Sequence, residues 1–283
     1  MEKILIAKVK ASIDKMPPLS PVVNKIIQVA NNVSSTAQEL TDVIQMDPVL
    51  MAKMLKMVNS AYFGLSNDIR SLKQAVVMLG INTIKNAALS SVVLGNISIN
   101  KNSSIDGESF WTHSFGVGIA SKIIAKKIGI DSKLLEEYFA AGLMHDIGRI
   151  VINNFFPEEM KKIQEMISEK KYSILDVEKN VLGLTHEEIG IAIGKKWQFE
   201  NNFLYAVGRH HNPVTTGSSS IYSMIVSVAE TSVRILDLGN FNEGIIEPVS
   251  NEVWRVLGLD QDIVLNEISS LESEIQKARS FLQ

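Results

Sequence analysis

Apolar residues recur at intervals of three and four along almost the whole chain, and runs that alternate apolar with polar are scarce. That spacing lines one face of a helix against a core, whereas a half-buried strand needs a period of two. From Val22 to Val33 the stripe is Val22, Ile26, Val29, Ala30 and Val33. Ser90-Ser91-Val92-Val93-Leu94 is rich in β-branched residues, but it continues a helical run that begins at Ile84. The expectation is an all-α protein. Its 283 residues suffice for one large domain or two small ones.

The helices are punctuated by residues with defined roles. Thr36-Ala37-Gln38-Glu39, Ser71-Leu72-Lys73-Gln74 and Thr185-His186-Glu187-Glu188 read as capping boxes. Asp47-Pro48 sets a capping carboxylate before a proline suited to the first helical position. Gly64, Gly80, Gly129 and Gly148 signal helix ends. The polar stretch from Asn96 to Gly107 is the best boundary, dividing residues 1–100 from residues 101–283. Asn212 to Ser220 and Gly239 to Pro248 read as loops. In the final helix, over residues 261–282, Val264, Ile268, Leu271, Ile275, Ala278 and Leu282 form a heptad seam. Such a seam either docks a helix on its own domain or joins two copies, so the chain is a monomer or a dimer through this helix.

Composition removes several classes of chemistry. The absence of cysteine excludes disulfides, thiolate metal sites, iron–sulfur clusters and cysteine nucleophiles, and it fits a reducing compartment. With 28 basic against 31 acidic residues the net charge is −3, which argues against binding nucleic acid through phosphate neutralisation. The start lacks a signal-peptide pattern, and no stretch reaches the roughly 18 apolar residues of a membrane span. A cytoplasmic protein with no membrane and no nucleic-acid partner is expected.

The chemistry concentrates in five histidines and one adjacent acid: His113, His145-Asp146, His186 and His210-His211. Asp146 falls in an otherwise apolar segment, where a carboxylate must be paired, hydrogen-bonded or bound to metal. Imidazoles plus a carboxylate, without thiolates, suit iron, manganese, zinc or nickel. An Asp beside a His can also present one oxygen to each of two ions. The histidines fall one to a helix or helix end, as a site inside a helical bundle requires.

In this ligand order the chain resembles the HD superfamily of metal-dependent phosphohydrolases. A second set of motifs is more specific: Met16-Pro17-Pro18-Leu19-Ser20-Pro21, Met46-Asp47-Pro48, Val58-Asn59-Ser60-Ala61-Tyr62-Phe63-Gly64, Ile69-Arg70-Ser71-Leu72-Lys73-Gln74-Ala75-Val76 and Leu79-Gly80-Ile81. With Phe139 to Arg149 and Trp197, these resemble the HDOD family, an HD-related regulatory and output module of bacterial signalling proteins. The resemblance covers residues 16–214. It implies an N-terminal helical subdomain packed on an HD-type helical bundle. It also implies one metal on His113, His145, Asp146 and a late carboxylate, and a second on Asp146, His186, His210 and His211. The late carboxylate is Glu230, where the superfamily usually has Asp. The Gly-Tyr-Pro motif of the superfamily's cyclic-dinucleotide phosphodiesterases is absent, since Asn212-Pro213 follows His210-His211.

The expectation from this resemblance is a regulatory, non-catalytic module whose His/Asp site holds one or two divalent transition-metal ions. Its partner is then a signalling protein or a small phosphorylated ligand. The alternative is a metal-dependent phosphohydrolase, with Asp146 and Arg149 as its catalytic residues. Arg149 stands where those enzymes tend to carry Lys, so it either holds a phosphate or caps carbonyls. Asn59, Ser60, Tyr62, Arg70 and Gln74 read as turn and cap residues rather than ligand contacts. The run Met46, Met51, Met54 and Met57 reads as core filler.

Overall fold

The computed structural model describes residues 2–16, 18–32, 34–60, 63, 65, 68–96, 104–169, 171–239 and 244–278, whose regular structure is helical with no strand. The N-terminal run is α1 (Glu2–Lys15), α2 (Pro21–Asn31), α3 (Ala37–Gln45), α4 (Pro48–Val58), α5 (Leu72–Leu79) and α6 (Ile81–Asn96). There follow α7 (Gly107–Lys127), α8 (Leu135–Met144), α9 (Ile147–Phe155), α10 (Pro157–Ser168), α11 (Ile174–Leu182) and α12 (His186–Lys196). The remainder is α13 (Asn201–Arg209), α14 (Ser220–Ile235), α15 (Asn251–Leu257), α16 (Gln261–Glu267) and α17 (Leu271–Ala278). Among the described residues, no helix is long and apolar enough to cross a membrane.

The caps explain where these helices begin. Thr36 and Thr185 form complete boxes: each hydroxyl accepts the third backbone N–H, and Glu39 or Glu188 reaches back to the cap N–H. Asp47 accepts from the N–H groups of Val49 and Leu50 at 3.1 and 3.0 Å, with Pro48 opening α4. At Ser71 only half a box forms. Its hydroxyl accepts from Gln74, but the Gln74 amide oxygen turns to the Arg70 N–H instead. Asn59 ties the end of α4 to Ile69, donating to its carbonyl at 2.8 Å and accepting its N–H at 2.6 Å. Ala61, Tyr62 and Gly64 of that motif, and Pro17 of the first, lie outside the described residues, as does most of the stretch between α6 and α7.

Other features also differ from the sequence reading. The buried face of α2 centres on Val23, Ile26 and Ile27, so the stripe is rotated from Val22 and Val29, which are half-buried; Val33 lies outside the described residues. Of the methionine run, Met54 and Met57 are core residues, but Met46 is 73% exposed at the end of α3. Gly148 is not a helix end. It sits in the first turn of α9, where an added Cβ would lie 2.0 Å from the His186 carbonyl oxygen. Glycine is there because two backbones meet. Gly80 and Gly129 do follow helices, at positive φ of +87° and +86°.

The core has two parts that meet on α8. Val23, Ile26, Leu40, Ile44, Met54 and Leu72 pack with one another and, through Ala140 and Met144 of α8, with Ile147, Ile189 and Ile193. The other face of α8, with Phe139 and Leu143, packs on Phe115, Ile124, Ile225, Val233 and the C-terminal helices. Each fully buried Leu, Ile or Phe contributes about 1.5–3 kcal/mol relative to exposure. Helix α7 crosses α8 closely: a Cβ at Gly142 would lie 2.7 Å from both the Ser121 Oγ and the Val117 carbonyl. Lys196, near the end of α12, donates to the carbonyls of Ile13, Asp14 and Met16 at 2.6–2.7 Å and so ties α12 to the end of α1.

The C-terminal seam is not one helix. It breaks after Ile268 into α16 and α17, and Val264, Ile268, Leu271 and Ile275 are buried against the chain's own core. Heptad spacing survives the break because the turn between the two helices keeps the apolar side inward. Leu282 lies outside the described residues.

Candidate metal centre

Glycines deliver the first ligands. Gly142 presses α8 against α7, and Gly148 presses α9 against the start of α12, so His145 and Asp146 are held between α7 and α12. His113 projects from the second turn of α7, His186 is the first residue of α12, and His210 caps α13. All five imidazoles converge. Ring centroids are 5.4 Å apart for His113–His145, 4.9 Å for His145–His210, 5.2 Å for His186–His210 and 4.4 Å for His210–His211.

Hydrogen bonds fix which ring nitrogen faces inward. His145 donates Nδ1–H to the Gly142 carbonyl at 2.6 Å, and His210 donates to Ala206 and Val207 at 3.1 and 3.0 Å. His186 donates Nδ1–H to Glu178 Oε2 at 2.7 Å. The Nε2 atoms then turn toward Asp146, whose two oxygens look different ways. Oδ1 lies 3.3 Å from His186 Nε2 and 3.8 Å from His210 Nε2, while Oδ2 lies 3.7 Å from His145 Nε2 and 3.4 Å from Arg149 Nη1.

Three sets of ligand atoms each fall within 4.8 Å of one another: His186, His210 and His211; His113, His145 and Asp146; and His145, His210 and Glu230. Glu230 therefore groups with His145 and His210, its Oε2 being 4.0 Å from His210 Nε2 and its Oε1 3.8 Å from His211 Nδ1. Arg149 is brought to Asp146 but is 0% exposed. The donor set fits a metal. Buried imidazole nitrogens and carboxylate oxygens, without sulfur, suit a divalent transition ion, and an ion would neutralise acids that are otherwise costly to bury. These His/Asp groups can hold such a metal.

The electrostatics agree with crowded acids. Burial alone would lower the pKa of His186, but the Glu178 and Asp146 carboxylates outweigh it and raise the value to about 9. Burial raises the pKa of Glu187, whose Oε1 accepts from the His211 N–H at 3.1 Å. Neither Glu178 nor Glu187 was anticipated from the sequence. For Glu178 a signal existed: it shares the buried side of α11 with Ile174, Val177 and Leu182, where an acid is out of place. A cavity of about 450 Å³ opens beside the cluster, lined by His210, His211 and Glu230 and by Ser227, Arg234 and Glu247. Arg234 holds its outer wall, donating to the carbonyls of Gly244 and Ile245 at 3.2 and 2.9 Å.

Three solved structures share the fold. An HDOD domain protein of unknown function from Geobacter sulfurreducens superposes with a TM-score of 0.81 at 23% identity, covering 99% of this chain and 98% of that one. A candidate phosphohydrolase from Shewanella amazonensis SB2B gives 0.77 at 23% identity, with 98% of each chain covered. A candidate signal transduction protein from Marinobacter aquaeolei VT8 gives 0.76 at 19% identity, covering 100% of this chain and 66% of that one. In sequence, an uncharacterized protein of Treponema pallidum (strain Nichols) is 26% identical over 239 residues, which is 82% of this chain and 45% of that protein. The chain spans less than half the length of the curated relatives it matches. A family model described as the HDOD domain matches residues 16–213, from the first proline motif through His210-His211. On that match, and with the fold in agreement, the chain belongs to the HDOD domain family.

Proposed function

We propose that this chain is a regulatory module that holds a divalent transition metal without turning over a substrate. The ion is iron, manganese, zinc or nickel, and its ligands are drawn from His113, His145, Asp146, His186, His210, His211 and Glu230. The observation that supports the regulatory reading is the separation of the cavity from the reactive acid. The cavity is lined by His210, His211 and Glu230, whereas Asp146, 1% exposed, and Arg149, 0% exposed, are not among its lining residues. A ligand in the cavity meets the rim of the cluster, while the group best placed to bridge two ions stands behind His210 rather than on the cavity wall. The metal then stabilises the domain and couples the bundle to a signalling protein or a small phosphorylated ligand. The expected result is metal in protein purified without a metal-affinity tag, and no hydrolysis of cyclic dinucleotides, nucleotides or generic phosphoesters with manganese or ferrous iron supplied. Turnover that disappears in both His145→Ala and Asp146→Ala overturns it.

The clustering of the five imidazoles, four of which (His113, His145, His186 and His210) approach Asp146, favours one second reading, a metal-dependent phosphohydrolase; the Shewanella structure is named a candidate phosphohydrolase. A metal bound there would supply Lewis-acid polarisation of a phosphoryl oxygen. In that reading Arg149 orients Asp146 from 3.4 Å, and the cavity beside His211 and Glu230 receives the ligand. The same phosphoester screen separates the two readings.

A further inference from the structure

Glu178 is 0% exposed on α11, yet nothing in the metal-ligand pattern calls for it. Its Oε2 accepts two hydrogen bonds from one residue, the backbone N–H and the Nδ1–H of His186, both at 2.7 Å. Its Oε1 is buried with no hydrogen-bond partner among the described residues. A carboxylate in an aliphatic core position is costly, so its retention needs a return. The return is control of one imidazole.

With its Nδ1–H given to Glu178, His186 turns Nε2 toward Asp146 Oδ1, 3.3 Å away, and His210 Nε2, 3.2 Å away, and Nε2 is the atom left to ligate an ion. A carboxylate behind a ligating imidazole fixes its orientation and raises its basicity more than a neutral acceptor does. At His145 and His210, by contrast, Nδ1–H is donated to main-chain carbonyls. Glu187 approaches His210 Nδ1 only to 3.6 Å, beyond hydrogen-bonding distance. We infer that Glu178 is a positioning residue for the metal centre, locking His186 as an Nε2 ligand and strengthening the hold of the His186–His210–His211 group on its ion. This rests on the metal-centre reading above.

The test uses the full chain, stripped of metal and titrated with zinc against a chromophoric chelator. Glu178→Gln keeps an oxygen that can accept both N–H groups but removes the charge, and Glu178→Ala removes both. The expected result is a zinc affinity about 10–100-fold weaker in Glu178→Gln and weaker again in Glu178→Ala, measured on folded protein. A merely structural role would lower the melting temperature and leave the affinity of the folded fraction unchanged. Long-range nitrogen–proton NMR of zinc-loaded wild-type protein reads the His186 tautomer without any substitution, and it decides the matter if the variants do not fold. An Nδ1–H on His186 is expected, and an Nε2–H tautomer overturns the inference. Zinc affinity in folded Glu178→Gln equal to wild type also overturns it, leaving the metal centre standing. Wild-type protein that binds none of zinc, manganese, ferrous iron or nickel overturns the metal-centre reading itself, and this inference with it.

Discussion

In α1–α5 the buried side chains are almost all aliphatic, with Ile26, Leu40, Ile44, Met54 and Leu72 at the centre and polar groups working at helix ends. In α7–α14 the same depth of burial is given to His113, His145, Asp146, Arg149, Glu178, His186, His210 and Glu230. The first region gains stability from every residue it buries. The second carries acids and imidazoles that cost free energy unless something pairs with them. The lesson is that one helical architecture supports both economies. The polar cluster sits where two glycine-mediated crossings, at Gly142 and Gly148, already force backbones together.

The contrast can be broken by experiment, beginning with the largest effect. Leu40→Ala, in the aliphatic region, is expected to cost about 2–5 kcal/mol in chemical denaturation and to leave bound metal per chain unchanged. Metal lost together with that stability would show that the two regions are not separate in kind. Chelation is expected to reverse the pattern. Removing an ion supplied at about 100 times its dissociation constant lowers stability by about 2.7 kcal/mol, read as a fall in melting temperature that excess metal restores. Gly148→Ala sharpens the comparison, because its new Cβ meets the His186 carbonyl. A cost of about 1–3 kcal/mol is expected, accompanied by weaker metal binding in a titration, since the crossing that places His186 must open. Smallest is Thr36→Ala, which removes a capping hydroxyl in the aliphatic region. It should cost about 1 kcal/mol by thermal melting and alter no property of the metal site.

The elements legible in the sequence are those whose cause is local. The boxes at Thr36 and Thr185 and the Asp47 cap could be read because cap and partner are three residues apart or fewer. Ser71 shows the limit of that reading, since a flexible glutamine amide can satisfy Arg70 as easily as its own cap. The five histidines were marked by the order in which they occur, but their separations along the chain do not dictate a meeting place. The packing of α7, α8, α9, α12 and α13 does that. Gly148 misled because a glycine needed for a backbone contact looks the same as one that ends a helix. Glu178 was missed because its value lies in a partner eight residues away, on another helix. The C-terminal stripe was right that Val264, Ile268, Leu271 and Ile275 are buried and silent about the break, since these four keep one phase through it.

The grip of Lys196 on the last carbonyls of α1 gives α12 a mechanical character. This helix has His186 at one end and that ammonium at the other, and its 11 residues form a rod about 16 Å long. A rod clamped at both ends cannot tilt at one without dragging the other. A tilt of this helix at its His186 end is thus delivered to the tail of the first helix.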